Sequence, residues 1–327
     1  MILSKSGKAA LACMAAALVF SGCAKTPHHE KEDVTAALAK LGEVKQYTFS
    51  GNAAIDWGTA PAAKDSSETS ALLASLMALF SNSNWTWNGA VTTEPMRLEA
   101  EYKAAPGGGQ QTLDFPMIVN QNVLYLSIPY LNKSGEYYSF DMSKWTSSDG
   151  AKAPLSLDGL KNTDAAVAQI MSLLLTDAKS GWFAKAKNPI DLADGKKGQS
   201  ITMSITDKNR GEVSDQLNKE LPAIADSLQK NGIMTAAQAE KLKSGGSQIA
   251  LSGPGELSFI IDDAGYLRQM GLILDMTTKS ASEAAAEAHH IEYKQEYDAI
   301  NQPPTFTKEI PTNAKSFDEV LKQLPQK

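Results

Sequence analysis

Cysteine is nearly missing from this chain: two occur in 327 residues, Cys13 and Cys23. Cys13 lies in an N-terminal apolar stretch that reads as a removed segment, so the processed chain would keep a single thiol at its first position. One thiol excludes a disulfide framework, a metal–thiolate site and cysteine catalysis in the body. Histidine is scarce too, with four residues in two adjacent pairs, His28-His29 and His289-His290. Neither pair brings a third ligand with it, and the second opens an expected strand, which sends its two rings to opposite faces. No Gly-x-Ser-x-Gly elbow occurs. Gly107-Gly108-Gly109 and Gly245-Gly246 lack the strand, helix and lysine that surround a phosphate loop. Asp262-Asp263-Ala264-Gly265 lacks the spaced acids and closing Glu of a calcium loop and reads as a type I′-like hairpin turn. These gaps leave no catalytic residue, metal or cofactor to expect, so the chain reads as a non-enzyme. After residue 22 no apolar run is long enough to cross a bilayer as a helix.

What is present begins at the N-terminus. Lys5 and Lys8 precede an apolar run from Ala9 to Phe20, with small residues Ser21 and Gly22 before Cys23. That is the three-part plan of a secretory signal. Phe20-Ser21-Gly22-Cys23 resembles the lipobox of bacterial lipoproteins, with Phe20 standing where Leu is usual. The resemblance implies a signal peptide over 1–22, cleavage before Cys23 and lipidation of its thiol with diacylglycerol, palmitate being a typical chain. One acyl chain binds membranes only marginally, so the two or three chains of such a modification make the anchoring durable. The expected place is the extracytoplasmic face of a bacterial cell membrane. Residues 23–32 are polar and read as a tether to a single domain over 33–327.

The first 22 residues hold two lysines and no acid, so the remainder carries 29 basic and 37 acidic groups, a balance of −8. Such a surface gives no reason to expect nucleic acid or adsorption along anionic headgroups. Contact with the membrane is expected through the N-terminal lipid alone, and an envelope protein partner is left open.

Along the body, Asp33 to Leu41 has apolar residues at helical spacing. Val44 to Trp57 then alternates, and so do Trp85 to Tyr102, Leu113 to Val119, Val123 to Ile128 and Glu136 to Asp141, with tight polar turns between several of them. Leu160 to Ala178 reads as one helix. Helical inserts are expected near 66–82 and 212–243, and Thr235 with Gln238 makes a capping box. Strands return at Ile201 to Ile205, Leu257 to Ile261, Tyr266 to Met276 and His289 to Tyr297. Pro303-Pro304 and Pro311 delimit a short final strand, and Phe317 to Leu324 a closing helix. Without βαβ alternation the class is α+β, built on a large antiparallel sheet.

Aromatic and methionine residues recur on one alternating face. Phe49, Trp57, Met96, Phe115 and Met117 come from the first strands, and Met203, Phe259 and Met270 from the later ones. Leu76, Met77 and Phe80 come from the apolar helix expected over 68–80. Together these are the candidate lining of a hydrophobic ligand cavity. The same pattern suits a filled core, and the sequence leaves that choice open.

Three passages resemble the LolA/LppX-like superfamily of lipoprotein carriers and lipid-binding lipoproteins, especially its Gram-positive members. They are Glu94-Pro95-Met96-Arg97-Leu98-Glu99-Ala100, the pair Val123-Leu124-Tyr125-Leu126 and Tyr137-Tyr138-Ser139-Phe140-Asp141, and Ile261-Asp262-Asp263-Ala264-Gly265-Tyr266-Leu267. Ile310-Pro311 resembles that group's closing strand. The resemblance implies an unclosed half-barrel, a large curved antiparallel sheet with helices on its concave face and an apolar pocket between. It implies a non-catalytic protein that binds or carries a lipid or other amphiphilic small molecule. The two helical inserts depart from the pattern and have room to plug such a pocket. The alternative reading is a cell-envelope interaction module whose core is filled.

Overall fold

The computed structural model describes residues 29–56, 82–107, 109, 112–129, 132, 133, 135–143, 157–244, 248–279 and 286–317. Cys23, Trp57 and the expected 68–80 helix with Leu76, Met77 and Phe80 lie outside them, as does most of the expected closing helix. No helix among the described residues is long and apolar enough to cross a membrane.

The first half is a meander of β1 (Gln46–Asp56), β2 (Asn82–Thr93), β3 (Met96–Pro106), β4 (Leu113–Asn120), β5 (Val123–Leu126) and β6 (Tyr138–Asp141). The second half contributes β7 (Phe183–Lys185), β8 (Ile190–Asp191), β9 (Lys197–Ile205), β10 (Gln248–Leu251), β11 (Gly255–Asp262), β12 (Leu267–Lys279) and β13 (Glu287–Asp298). β14 (Lys315–Ser316) comes last. The fourteen strands among the described residues belong to one sheet, in the path β14-β6-β5-β4-β3-β2-β1-β13-β12-β11-β9-β7, with β10 beside β12 and β8 beside β9. The two ends of that path, β14 and β7, do not pair, so the sheet stays open as the half-barrel expectation requires. Every pairing is antiparallel except β14 with β6.

The two meanders meet at β1 and β13. Phe49 lies opposite Tyr297, Gly51 opposite Gln295 and Ala53 opposite Tyr293. On its other side β1 sets Phe49 against Gly89 and Gly51 against Trp87. Directly opposed residues of antiparallel strands share a face. The registers therefore put Phe49, Trp87, Met96, Phe115, Met117, Met203, Phe259 and Met270 on one side of the sheet, as the alternation predicts.

Helices cover part of that side. α1 (Glu30–Leu41) starts inside the expected tether and buries Val34, Ala37, Leu38 and Leu41, one stripe of its circumference. It packs on α3 (Thr163–Leu175) and on β7, β11 and β12. The helix expected over 160–178 is divided: α2 (Leu157–Lys161) ends before Asn162, and α3 begins at Thr163. α4 (Arg210–Lys230) packs on α3 and β10, and α5 (Ala236–Ser244) on α4. The Thr235 capping box forms as read, with the Gln238 amide donating to Thr235 Oγ1 at 3.2 Å and the Thr235 amide to Gln238 Oε1 at 2.9 Å.

Two expectations about turns and ends change. Between β11 and β12 only Gly265 has positive φ (+77°), whereas a type I′ turn needs two such residues. Asp262 shapes this turn by accepting the amides of Ala264 and Tyr266 on Oδ1, both at 3.0 Å. The strand expected between Pro303 and Pro311 does not form; the last strand, β14, follows Pro311 instead. Residues 303–310 have no ladder partner, and proline supplies no amide to one. The chain there is held by Glu99, a buried carboxylate that accepts the amides of Thr307 at 2.8 Å and Lys308 at 2.9 Å and pairs with Arg97 at 2.8 Å. The Arg97 guanidinium lies over the Phe306 ring at 5.3 Å.

Arg268 is the other buried charge that organises the fold. Its side chain is 3% exposed and donates to the Tyr297 carbonyl at 2.9 Å, Asp298 at 2.6 Å and Asp194 at 3.0 Å, with Asp262 at 3.4 Å. It ties the β11–β12 turn to the end of β13. Arg268→Ala leaves Asp262 buried without its cation, and urea denaturation should show a loss of about 3–5 kcal/mol.

Candidate functional site

The inner face does not bury its apolar residues uniformly. One core joins α1, α3 and the β7–β13 half around Phe259, Ile201 and Leu267. A second joins β2 to β6 around Val119, Met96 and Phe140, with Leu157, Leu160 and Phe317 packed against it. Between them, where β3, β2, β1 and β13 lie side by side under the start of α3, a cavity of about 300 Å³ remains.

Its floor depends on two glycines. A Cβ on Gly51 would stand 2.5 Å from the Trp87 ring, and one on Gly89 2.5 Å from the Phe49 ring. Each aromatic side chain thus lies flat across the glycine opposite it on the neighbouring strand. Trp87 Nε1 donates to Gln295 Oε1 at 2.8 Å, which sets the indole edge toward β13. Tyr47 and Tyr297 meet edge to face at 5.5 Å between centroids, and Trp87 lies tilted against Tyr293 at 5.8 Å and against Tyr102 at 6.4 Å. The wall opposite is α3, where Asp164 accepts the Tyr47 hydroxyl at 2.5 Å and Val167 and Leu160 add apolar surface.

The polar groups here are perturbed by their setting. Burial raises the Asp164 carboxyl to about 6, against the opposing pull of the Tyr47 hydrogen bond. Burial also raises the Tyr293 hydroxyl to about 12, and it raises Tyr47, Tyr102 and Tyr297 as well, with the Asp164 charge adding to the effect at Tyr293, Tyr47 and Tyr297. All four phenols stay neutral, and Asp164 titrates near neutral pH.

Of the residues proposed from the sequence, Phe49 and Met117 line this cavity. Phe115 shares the face but packs against Trp85 at 6.0 Å. Met96 is buried in the second core. Met203, Phe259 and Met270 are 2%, 0% and 7% exposed in the first core, where they fill space and bound no cavity. The helices at 210–244 pack behind α3 and do not enter the cavity. Tyr47, Tyr102, Asp164, Tyr293 and Tyr297 were not singled out from the sequence. Tyr293 and Tyr297 do carry a signal, since they alternate with Gln295 on one face, but aromatic alternation reads equally as core. Asp164 gave none: an acid in a first helical turn ordinarily faces water.

Other features offer less. A wider groove of about 720 Å³ runs between α1, α3 and α4, lined largely by small residues such as Ala39, Ala165 and Ala223. Polar groups there satisfy one another, Gln169 Oε1 accepting from Ser227 at 2.7 Å and from Asn231 at 3.0 Å. The His289-His290 rings diverge as expected, His289 to Thr278 at 2.7 Å and His290 to Asp275 at 2.7 Å. Among the described residues no group of three or more His, Cys, Asp or Glu side chains converges to hold a metal.

No protein-family model matches the chain, and no curated protein matches it in sequence. Among solved structures, it is similar to LprF from Mycobacterium bovis, at 12% identity over 86% of this chain and 96% of that one, with a TM-score of 0.33. It is also similar to a beta-barrel-like protein of the domain of unknown function DUF1849 from Brucella abortus, at 8% identity over 78% of this chain and 99% of that one, with a TM-score of 0.16. Neither likeness bears on function at those scores.

Two outcomes follow from the site's construction. Asp164 binds protons more tightly folded than unfolded, so its contribution to stability falls as pH rises from about 4 to 6 and is constant above. Asp164→Asn keeps an acceptor for Tyr47 and should remove that slope, worth at most about 3 kcal/mol; the difference between the two stability–pH curves measures it. Gly51→Ala should displace the Trp87 ring, destabilise the fold by about 1–3 kcal/mol and shift the tryptophan emission.

Proposed function

We propose that this chain is a lipid-anchored extracytoplasmic protein of LolA/LppX-like architecture that holds a hydrophobic or amphiphilic ligand and catalyses no reaction. The observation that carries the reading is the cavity itself. The inner face is well packed on both sides of it, yet the sheet and α3 stay apart between the two cores, and rings rather than small side chains surround the space. Taking apolar ligand surface out of water there contributes roughly 25 cal/mol per Å². At about 300 Å³ the space is at the lower bound of small-molecule sites and suits one chain or one head group. The signal-like N-terminus and Cys23 support the anchoring, and a body whose acids outnumber its bases supports the membrane contact being lipid-mediated.

Cys23→Ser should move the protein from the membrane to the soluble fraction. The released chain should carry lipid in native mass spectrometry or organic extraction, or take up a fluorescent fatty acid. Val167→Trp places an indole in the space and should lower uptake at least tenfold without changing the circular dichroism spectrum. A wild-type chain that neither carries lipid nor takes up the probe would reject the reading in favour of an interaction module.

A further inference from the structure

The cavity is aromatic and anionic in a way that an acyl-chain pocket has no need to be. Six rings line it, those of Tyr47, Phe49, Trp87, Tyr102, Tyr293 and Tyr297, and among the described residues the lining has a single charged side chain, Asp164, and no lysine, arginine or histidine. A partly desolvated carboxylate gains from a compensating cation, and here, among the described residues, its side-chain partner is a neutral phenol. Its place in the first turn of α3 favours the ionised form, while an Asn there would accept the same hydrogen bond. The rings stand 5.5 to 6.4 Å apart by centroid and are inclined to one another by 31° to 66°. Rings gathered this closely along one small cavity are the side chains that attract a cation over roughly 6 Å. A primary ammonium is strongly hydrated and needs three acceptors to replace its water. A methylated ammonium needs none and is weakly hydrated, so rings suit it better.

We propose that the cavity is a cage for a methylated ammonium group, free or as the head group of a choline-type lipid, with Asp164 as the counter-ion. This rests on the ligand-holding reading above and gives it a substrate class. The groups facing Asp164 are the phenol of Tyr47 on β1, with those of Tyr102 on β3 and Tyr293 and Tyr297 on β13 close by, all neutral below pH 9. Asp164 is thus the titrating group of the site. It is largely uncharged at pH 5 and largely charged at pH 7, so affinity for a cation rises with pH over that interval.

The test is calorimetric or Trp-fluorescence titration of the purified protein with choline and with its neutral isostere 3,3-dimethylbutan-1-ol. Dihexanoyl phosphatidylcholine and phosphatidylglycerol are compared in parallel below their micellar concentrations. The cationic probe is expected to bind at least tenfold tighter than its neutral or anionic counterpart, and about tenfold weaker at pH 5 than at pH 7. Asp164→Asn should weaken binding and abolish the pH dependence. Binding of the phosphatidylcholine alone identifies a lipid head group, and binding of choline as well shows that the free cation suffices; both uphold the cage. Equal binding of the isostere, equal binding of phosphatidylglycerol, or no binding of either choline-bearing probe at pH 7 overturns it. Fatty-acid uptake measured on the same sample separates the two readings: uptake without cation selectivity overturns only the cage, and absence of both rejects ligand binding altogether.

Discussion

The pairing of β1 with β13 is the constraint on which the rest depends. Each half of the chain forms its own run of antiparallel strands, and each alone would expose a long strand edge and half of an apolar face. Thr48 pairs with Asp298 and Ile55 with Ile291, contacts about 240 residues apart in sequence, and through them two sheets become one. Loop-closure entropy must be met before such a pairing is rewarded. What rewards it is the ring cluster that forms at the seam, where side chains of β1 and β2 meet those of β13. The same seam therefore completes the fold and creates the cavity.

The two faces of the sheet solve opposite problems. The outer face is polar, and two buried charges there have several partners each: Glu99 clasps the C-terminal segment, and Arg268 clamps three carboxylates and a carbonyl. These are fixed links of high local charge density that replace missing ladder hydrogen bonds. On the inner side the partly buried carboxylate of Asp164 is paired, among the described residues, with the Tyr47 phenol. Glu99 and Arg268 thus hold several partners that tie segments of the fold together, and Asp164 holds a single hydroxyl among the described residues.

Period-2 alternation made the inner face legible, because side-chain direction in a strand is set locally by the pleat. Phe49, Met96, Met117, Met203, Phe259 and Met270 were placed on the correct face for that reason. Which of them bound an open space was not legible. Met203 and Phe259 face α1 and α3 and are covered; Phe49 and Met117 face the gap between cores. The difference is decided by helices that dock from elsewhere in the chain. Local turn chemistry was only partly readable, since Asp262 stabilises a turn with a single left-handed glycine where the Asp-Gly pattern suggested a type I′ hairpin.

The sequence by itself determined the candidate lipid anchor at Cys23, the lack of cysteine chemistry in the body, the α+β class and the apolar side of each strand. These follow from covalent order and from periodicities of two and 3.6 residues, which need no distant partner. The tertiary structure alone decided that Tyr47, Trp87, Tyr293 and Tyr297 gather around Asp164. That arrangement requires the β1–β13 register, two glycines that admit rings against the strand backbone, and a helix whose first turn faces the sheet. None of those is a local property of the chain.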